Sequence, residues 1–133
     1  MFPQQGSQME VRMDDAFYPG MQGAYYKCEI LEEGERVCKC QIVGDADQDM
    51  FLVPRDCFFP IRESKEQDEW PVGSRVEVGY KVGSPMEPLG WWPAQVTEQV
   101  GPRIVRIKWS TYYEDDDNGA EYVFHSHCLR DAT

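Results

Sequence analysis

The sequence predicts an all-β chain: two small, strongly twisted barrels in tandem. Three observations carry that expectation. No segment sustains a 3.6-residue apolar period. Short alternating runs, at roughly 8–12-residue spacing, are separated by turn signals. The whole pattern then restarts after a charged stretch, with a period of about 66 residues, the separation of Tyr26 from Trp92.

The first eight residues read as a loose leader. Met9-Glu10-Val11-Arg12-Met13 alternates as a strand, and a turn-rich piece containing Pro19-Gly20 follows. Tyr25 to Leu31 reads as a second strand, Glu32-Glu33-Gly34-Glu35 as a hairpin turn, and Arg36 to Ile42 as a third strand. Gly44 to Asp49 is an acidic loop, Met50 to Val53 a fourth strand, and Pro54-Arg55-Asp56-Cys57 a short helical turn opened by proline.

Glu63 to Glu69 is polar and charged, the composition of a linker. Beyond it the same order returns. Met9 to Met13 aligns with Val76 to Tyr80, and Tyr25 to Ile30 with Trp91 to Val96. Arg36 to Ile42 aligns with Arg103 to Trp109 without a gap, and Met50 to Val53 with Glu121 to Phe124. Cys57 and Cys128 also correspond. The expected organisation is a leader at 1–8, a first repeat at 9–61, a linker at 62–71 and a second repeat at 72–131. Each repeat is close to the lower size limit for folding alone.

Composition narrows the function. A 41 % hydrophobic and 28 % charged chain is that of a folded protein. Its net charge of -11 disfavours nucleic-acid backbones, whose binding needs clustered Lys and Arg, and suits basic partners. Direct RNA binding is therefore not expected. The five cysteines are odd in number and form no C-x-x-C pair. That spacing, with no basic and apolar leader at the start, predicts a reducing intracellular location, nuclear or cytoplasmic. No apolar run is long enough for a membrane span.

The candidate site lies between Ser74 and Trp109. Alternation places Tyr80 in phase with Val76 and Val78, Trp92 with Ala94 and Val96, and Trp109 with Val105 and Ile107. In a small curved sheet these three aromatics gather at one rim. Aromatic faces near carboxylates suit an alkylated ammonium ion. Tyr112 or Tyr113, in the loop after Trp109, supplies a further wall. Asp115 and Asp116 in the same acidic run are additional candidates for attracting a basic peptide. The plainer reading stays open beside this one: Trp and Tyr in β proteins are mostly packing residues, and acidic runs mostly solvated loops. Trp91 faces away from Trp92, which assigns it to packing between the repeats or to a surface.

Val76-Glu77-Val78, Trp91-Trp92-x-Ala94-x-Val96, Val105-x-Ile107-x-Trp109 and Cys128-Leu129-Arg130 resemble an Agenet/Tudor repeat. With Glu10-Val11-Arg12, Gly23-Ala24-Tyr25-Tyr26-Lys27, Cys57-Phe58-Phe59-Pro60 and Glu87-Pro88-x-x-Trp91-Trp92, the chain from Met9 to Arg130 is similar to the N-terminal tandem Tudor region of the fragile X protein family. The resemblance implies two bent, Royal-type barrels of five strands. It implies protein–protein contacts and, in many such domains, an aromatic cage for methylated lysine or arginine. The family's complete proteins bind RNA through further domains. The loop from Thr111 to Gly119 is longer and more acidic than the family pattern.

The repeats differ at the rim. Where the second has Tyr80, Trp92 and Trp109, the first has Met13, Tyr26 and Ile42. The second is therefore expected to read a di- or trimethyllysine on a basic peptide such as a histone tail, with Tyr80, Trp92, Trp109 and Tyr113 as walls. The first is expected to be structural, or to bind something other than a methylated cation. The alternative is a scaffold: docking of another protein partner, or homodimerisation, without recognition of a methyl mark. His125-x-His127 and Cys38-x-Cys40 each lack the remaining ligands of a zinc site, so no metal and no cofactor is expected. No catalytic constellation is present, so the expectation is a binding protein rather than an enzyme.

Overall fold

The computed structural model describes residues 4–110 and 121–132. Over these residues the chain is almost entirely strand and turn, with short 3-10 turns and no α-helix. This bears out the all-β expectation. The chain divides into two compact units. One comprises Met1–Arg62 with Tyr80–Gly90, the other Glu63–Gly79 with Trp91–Thr133.

The first unit is built from β1 (Gln8–Arg12), β2 (Tyr25–Glu32), β3 (Val37–Ile42), β4 (Met50–Pro54), a 3-10 turn (Arg55–Cys57) and β5 (Phe58–Phe59). Its antiparallel order is β5-β1-β2-β3-β4. Met9 pairs with Cys28, Val11 with Tyr26, Cys28 with Ile42, Ile30 with Cys40 and Cys38 with Val53. Directly opposed residues share a face, so these make one continuous inner surface, and all of them are buried. A register shift between Ile30 and Glu32 marks a bulge that sharpens the local twist. Cysteines serve here as small hydrophobes. A hydrogen bond with the Cys28 thiol, together with burial, pushes the Cys40 thiol upward, so it remains protonated and unreactive.

The second unit contains most of β6 (Arg75–Tyr80) and β7 (Gly90–Gly101). It also holds β8 (Ile104–Trp109), β9 (Glu121–His125), a 3-10 turn (Ser126–Cys128) and β10 (Leu129–Asp131). The order is β10-β6-β7-β8-β9. Its core is Trp70, Val76, Val78, Ala94, Val96, Val105, Ile107 and Leu129. β7 runs five residues past Val96, where alternation predicts its end. Register shifts between Val96 and Glu98, and again between Gln99 and Gly101, break the alternation while pairing with β8 continues.

The charged segment after Arg62 is anchored within the second unit. The Lys65 amide donates to the Leu129 carbonyl at 3.0 Å, and its ammonium lies 3.0 Å from Asp131. Trp70 is 3 % exposed; its indole N–H donates to the Ser126 carbonyl and its amide to the Gln99 side chain, both at 3.0 Å.

Each unit also buries a carboxylate against a guanidinium. Glu77 and Arg130 are cross-strand partners in β6 and β10, both 2 % exposed, with Arg130 Nε donating to Glu77 Oε1 at 2.7 Å. The Trp91 ring lies over the guanidinium, 4.3 Å from its centroid. In the first unit, Glu10 is 2 % exposed and accepts from the Arg62 amide at 3.0 Å, with the Arg62 guanidinium at 4.0 Å and 5.3 Å from the Tyr25 ring centroid. Removing one member of a buried ion pair strands its partner. Glu77→Ala is expected to cost about 3–5 kcal/mol, and Glu77→Leu with Arg130→Met about zero or less. Urea unfolding midpoints measure both. A double variant as unstable as the single one contradicts this account.

Candidate functional site: an aromatic edge on the second unit

Trp109 closes β8 and stands opposite Ala94 of β7. Ile107 and Val105, on the same face, stand opposite Tyr122 and Phe124 of β9. Both are two residues from a neighbour on their strand, so Trp109, Tyr122 and Phe124 emerge on one side of the sheet. The rings meet there. Trp109 lies 5.6 Å from Phe124 at an interplanar angle of 74°, and 6.3 Å from Tyr122 at 42°. All three are half-buried and pack against the core below. Half-buried rings tilted against one another form an aromatic edge, the kind of surface that can take the apolar shell of an alkylated cation.

The residues expected at the rim are distributed differently. Trp109 is at this edge. Trp92 is only 4 % exposed, alongside Ala94 and Val96 in the buried phase of β7, so its ring presents little open face. Tyr80 is 41 % exposed at the end of β6 and groups with the first unit. Tyr112, Tyr113, Asp115 and Asp116 lie outside the described residues. Tyr122 and Phe124 are site candidates that the rim argument passes over. Their signal is present in Glu121-Tyr122-Val123-Phe124, where two aromatics alternate with residues that face outward.

Trp91 has a definite role. Its ring covers Arg130 and lies against Gly79, where an added Cβ would come within 3.3 Å of the indole. Gly79 thus lets the ring approach closely, and a side chain there would require the indole to shift by a few tenths of an ångström.

The His125-x-His127 pair is engaged structurally. The rings meet edge to face at 4.8 Å, and His125 Nδ1 accepts from the His127 amide at 3.2 Å. His127 Nε2 lies 2.7 Å from Asp68 Oδ1, and Arg103 Nε lies 3.3 Å from the same oxygen. Among the described residues, no group of three or more His, Cys, Asp or Glu side chains is placed to hold a metal ion. The His127 hydrogen bond, with Arg103 assisting, holds the Asp68 carboxyl below its ordinary value of 3.8. A carboxylate depressed in the folded state contributes stability above its unfolded value, and loses it as pH falls through the lower folded one. Acidification below 3.8 is therefore expected to loosen the segment around Asp68 before general acid unfolding. Trp70 indole resonances would report it, and Asp68→Asn should abolish that step. A step that survives in Asp68→Asn assigns it to another group.

No family model and no curated protein matches the chain. Solved structures do match it, two of them tandem Agenet domains. A crystal structure of Arabidopsis thaliana AGDP1 AGD34 has a TM-score of 0.73 at 18 % identity, covering 98 % of this chain and 82 % of that one. The tandem Agenet domain 3-4 of ADCP1 gives 0.69 at 16 % identity, covering 98 % and 80 %. With two five-stranded antiparallel units built on the same strand plan, this chain has the tandem Agenet fold of small Tudor-like barrels.

Proposed function

We propose that the chain is a non-enzymatic binding module, and that its second unit reads a di- or trimethylated lysine on a basic peptide such as a histone tail. The observation that carries this reading is the Trp109–Tyr122–Phe124 edge. Trimethylation removes the donors of the ammonium but keeps its charge, so the cation loses little on leaving water for aromatic faces. Each face contributes roughly 0.5–2 kcal/mol. In this proposal Tyr112 or Tyr113 supplies a further wall, and Asp115 and Asp116 draw in basic flanking residues. The net charge of -11 favours a basic peptide over RNA. The closer kinship with the fragile X family's tandem region belongs to the same proposal and rests on the motifs quoted above. So does an intracellular location, which suits five unpaired cysteines.

The test is a two-dimensional NMR titration with one basic peptide, unmodified and carrying trimethyllysine. Saturable shifts of the Trp109 indole and the Tyr122 and Phe124 rings are expected with the methylated form alone. Trp109→Ala should weaken that binding roughly tenfold, about 1.4 kcal/mol for one lost face. Unchanged affinity in folded Trp109→Ala would falsify the cage. Equal responses to both peptides would make the binding charge-driven, and silence would favour a scaffold or homodimer.

A further inference from the structure

The first unit lacks the rim aromatics of the second, yet it assembles an aromatic group of its own. Phe51, on β4, stands opposite Cys40 and so lies on the inner face. Phe17 and Tyr18 reach it from the β1–β2 loop. Tyr18 meets Phe51 edge to face at 5.0 Å and 69°, and Phe17 stacks on it at 6.2 Å and 19°. All three are half-buried.

The loop that carries Phe17 and Tyr18 is held by its own hydrogen bonds. The amides of Phe17 and Tyr18 both donate to the Asp14 carbonyl, at 3.1 and 2.9 Å. The Ala16 amide donates to the Asp14 carboxylate at 2.8 Å, and the Gly20 amide to that of Asp15 at 3.0 Å. Met13 and Ala24 close the base, with the Met13 amide 2.8 Å from the Ala24 carbonyl. The rings are thus positioned before any ligand arrives, which lowers the ordering cost of binding.

Asp49 lies two residues before Phe51, in the β3–β4 loop that also carries Asp45 and Asp47, and an added Cβ on Gly44 of that loop would lie 3.9 Å from Pro88, next to Glu87. Asp45 Oδ1 accepts from the Asp47 amide at 3.1 Å. Burial, and then the charges of Asp45, Asp49, Asp47 and Glu87, push the Tyr18 hydroxyl upward, so all four lie close enough to act on it. Residues 13–26, 43–54 and 82–90, which supply the rings and these acids, contain no Lys or Arg. The adjacent Lys81 turns its ammonium to the Pro85 carbonyl at 3.3 Å.

We propose that the first unit binds an unmethylated arginine side chain on the rings of Phe17, Tyr18 and Phe51, with the nearby carboxylates taking its N–H groups. The chemistry discriminates among cations. A guanidinium is planar, weakly hydrated and carries five N–H donors, so it stacks on a ring and bonds carboxylates at its edge at the same time. A trimethylammonium satisfies the rings but offers the acids no donor. A lysine ammonium offers donors but is a compact, strongly hydrated charge. Methylating the arginine blocks its bidentate hydrogen bonding. This site is independent of the aromatic edge on β8 and β9, and either can exist without the other.

The test uses capped Gly-Gly-Xaa-Gly-Gly peptides with Xaa as arginine, asymmetric dimethylarginine, lysine or trimethyllysine, titrated into the full chain. Aromatic carbon–proton resonances of Phe17, Tyr18 and Phe51 are followed, with the Trp109 indole as a separate reporter. Arginine is expected to shift the three rings saturably, with the other three peptides binding at least about threefold more weakly. Asp47→Asn with Asp49→Asn should weaken the arginine response about three- to tenfold. Phe51→Leu, which keeps the inner face apolar, should weaken it similarly. The amide spectrum of each variant establishes that it is folded. Lysine, trimethyllysine or dimethylarginine binding as tightly as arginine overturns the proposal. So does a response unaffected by either variant, or no saturable shift at these rings.

Discussion

In each unit a carboxylate on the first strand is taken out of water and answered by a guanidinium from the closing segment. Glu77 and Arg130 do this across β6 and β10, within hydrogen-bond distance and almost wholly buried. Because the partners are directly opposite, the pair specifies register: slipping β10 by one residue would leave the charge on Glu77 without its partner. Two- and three-residue strands such as β5 and β10 have too few backbone bonds to set their own alignment. The charge pair supplies the missing specificity, and the Trp91 ring shields it from water.

The same device is built differently in the first unit. There Phe59 occupies the cross-strand place that Arg130 fills in the second, opposite Glu10. The guanidinium comes instead from Arg62, three residues further on, and Tyr25 takes the part of Trp91. The Arg12 guanidinium covers Phe59 at 5.4 Å. The duplication therefore conserves an electrostatic arrangement more closely than it conserves the residues that make it.

What was legible in the sequence follows from the range of the interactions. β1 to β4 and β6 to β9 show themselves by alternation, because each buries one face along its own length. β5 and β10 do not, being too short to display a period. Trp92 reads as a rim residue because alternation gives a face but not a depth; the structure puts it deep, at 4 % exposure. Tyr122 and Phe124 had a local signal, two aromatics in phase, but their meeting with Trp109 depends on the β8–β9 register. Phe17 and Tyr18 had none, since their approach to Phe51 rests on loop hydrogen bonds and a long separation in sequence. The segment around Lys65 and Asp68 has the composition of a linker, and only pairing with Leu129, Asp131, Arg103 and His127 reveals how it is held.

The negative charge of the chain has two distinct physical uses. Glu10 and Glu77 are buried and paired with guanidinium groups, and the Glu77–Arg130 pair lies wholly inside the fold, where salt screens it little. Asp45, Asp47, Asp49 and Glu87 lie close enough to the half-buried Tyr18 to raise its hydroxyl, in segments that contain no basic residue. An exposed carboxylate holds a cation weakly by itself, because water competes for both. Beside an aromatic face that competition is reduced on one side, and the charge then acts on a partner already partly desolvated. Aromatic rings and acids at a surface are thus complementary toward a cation in general. Selectivity among cations depends on which of the two dominates: ring area favours alkylated ammonium ions, whereas unsatisfied carboxylate oxygens favour donors, and guanidinium above all.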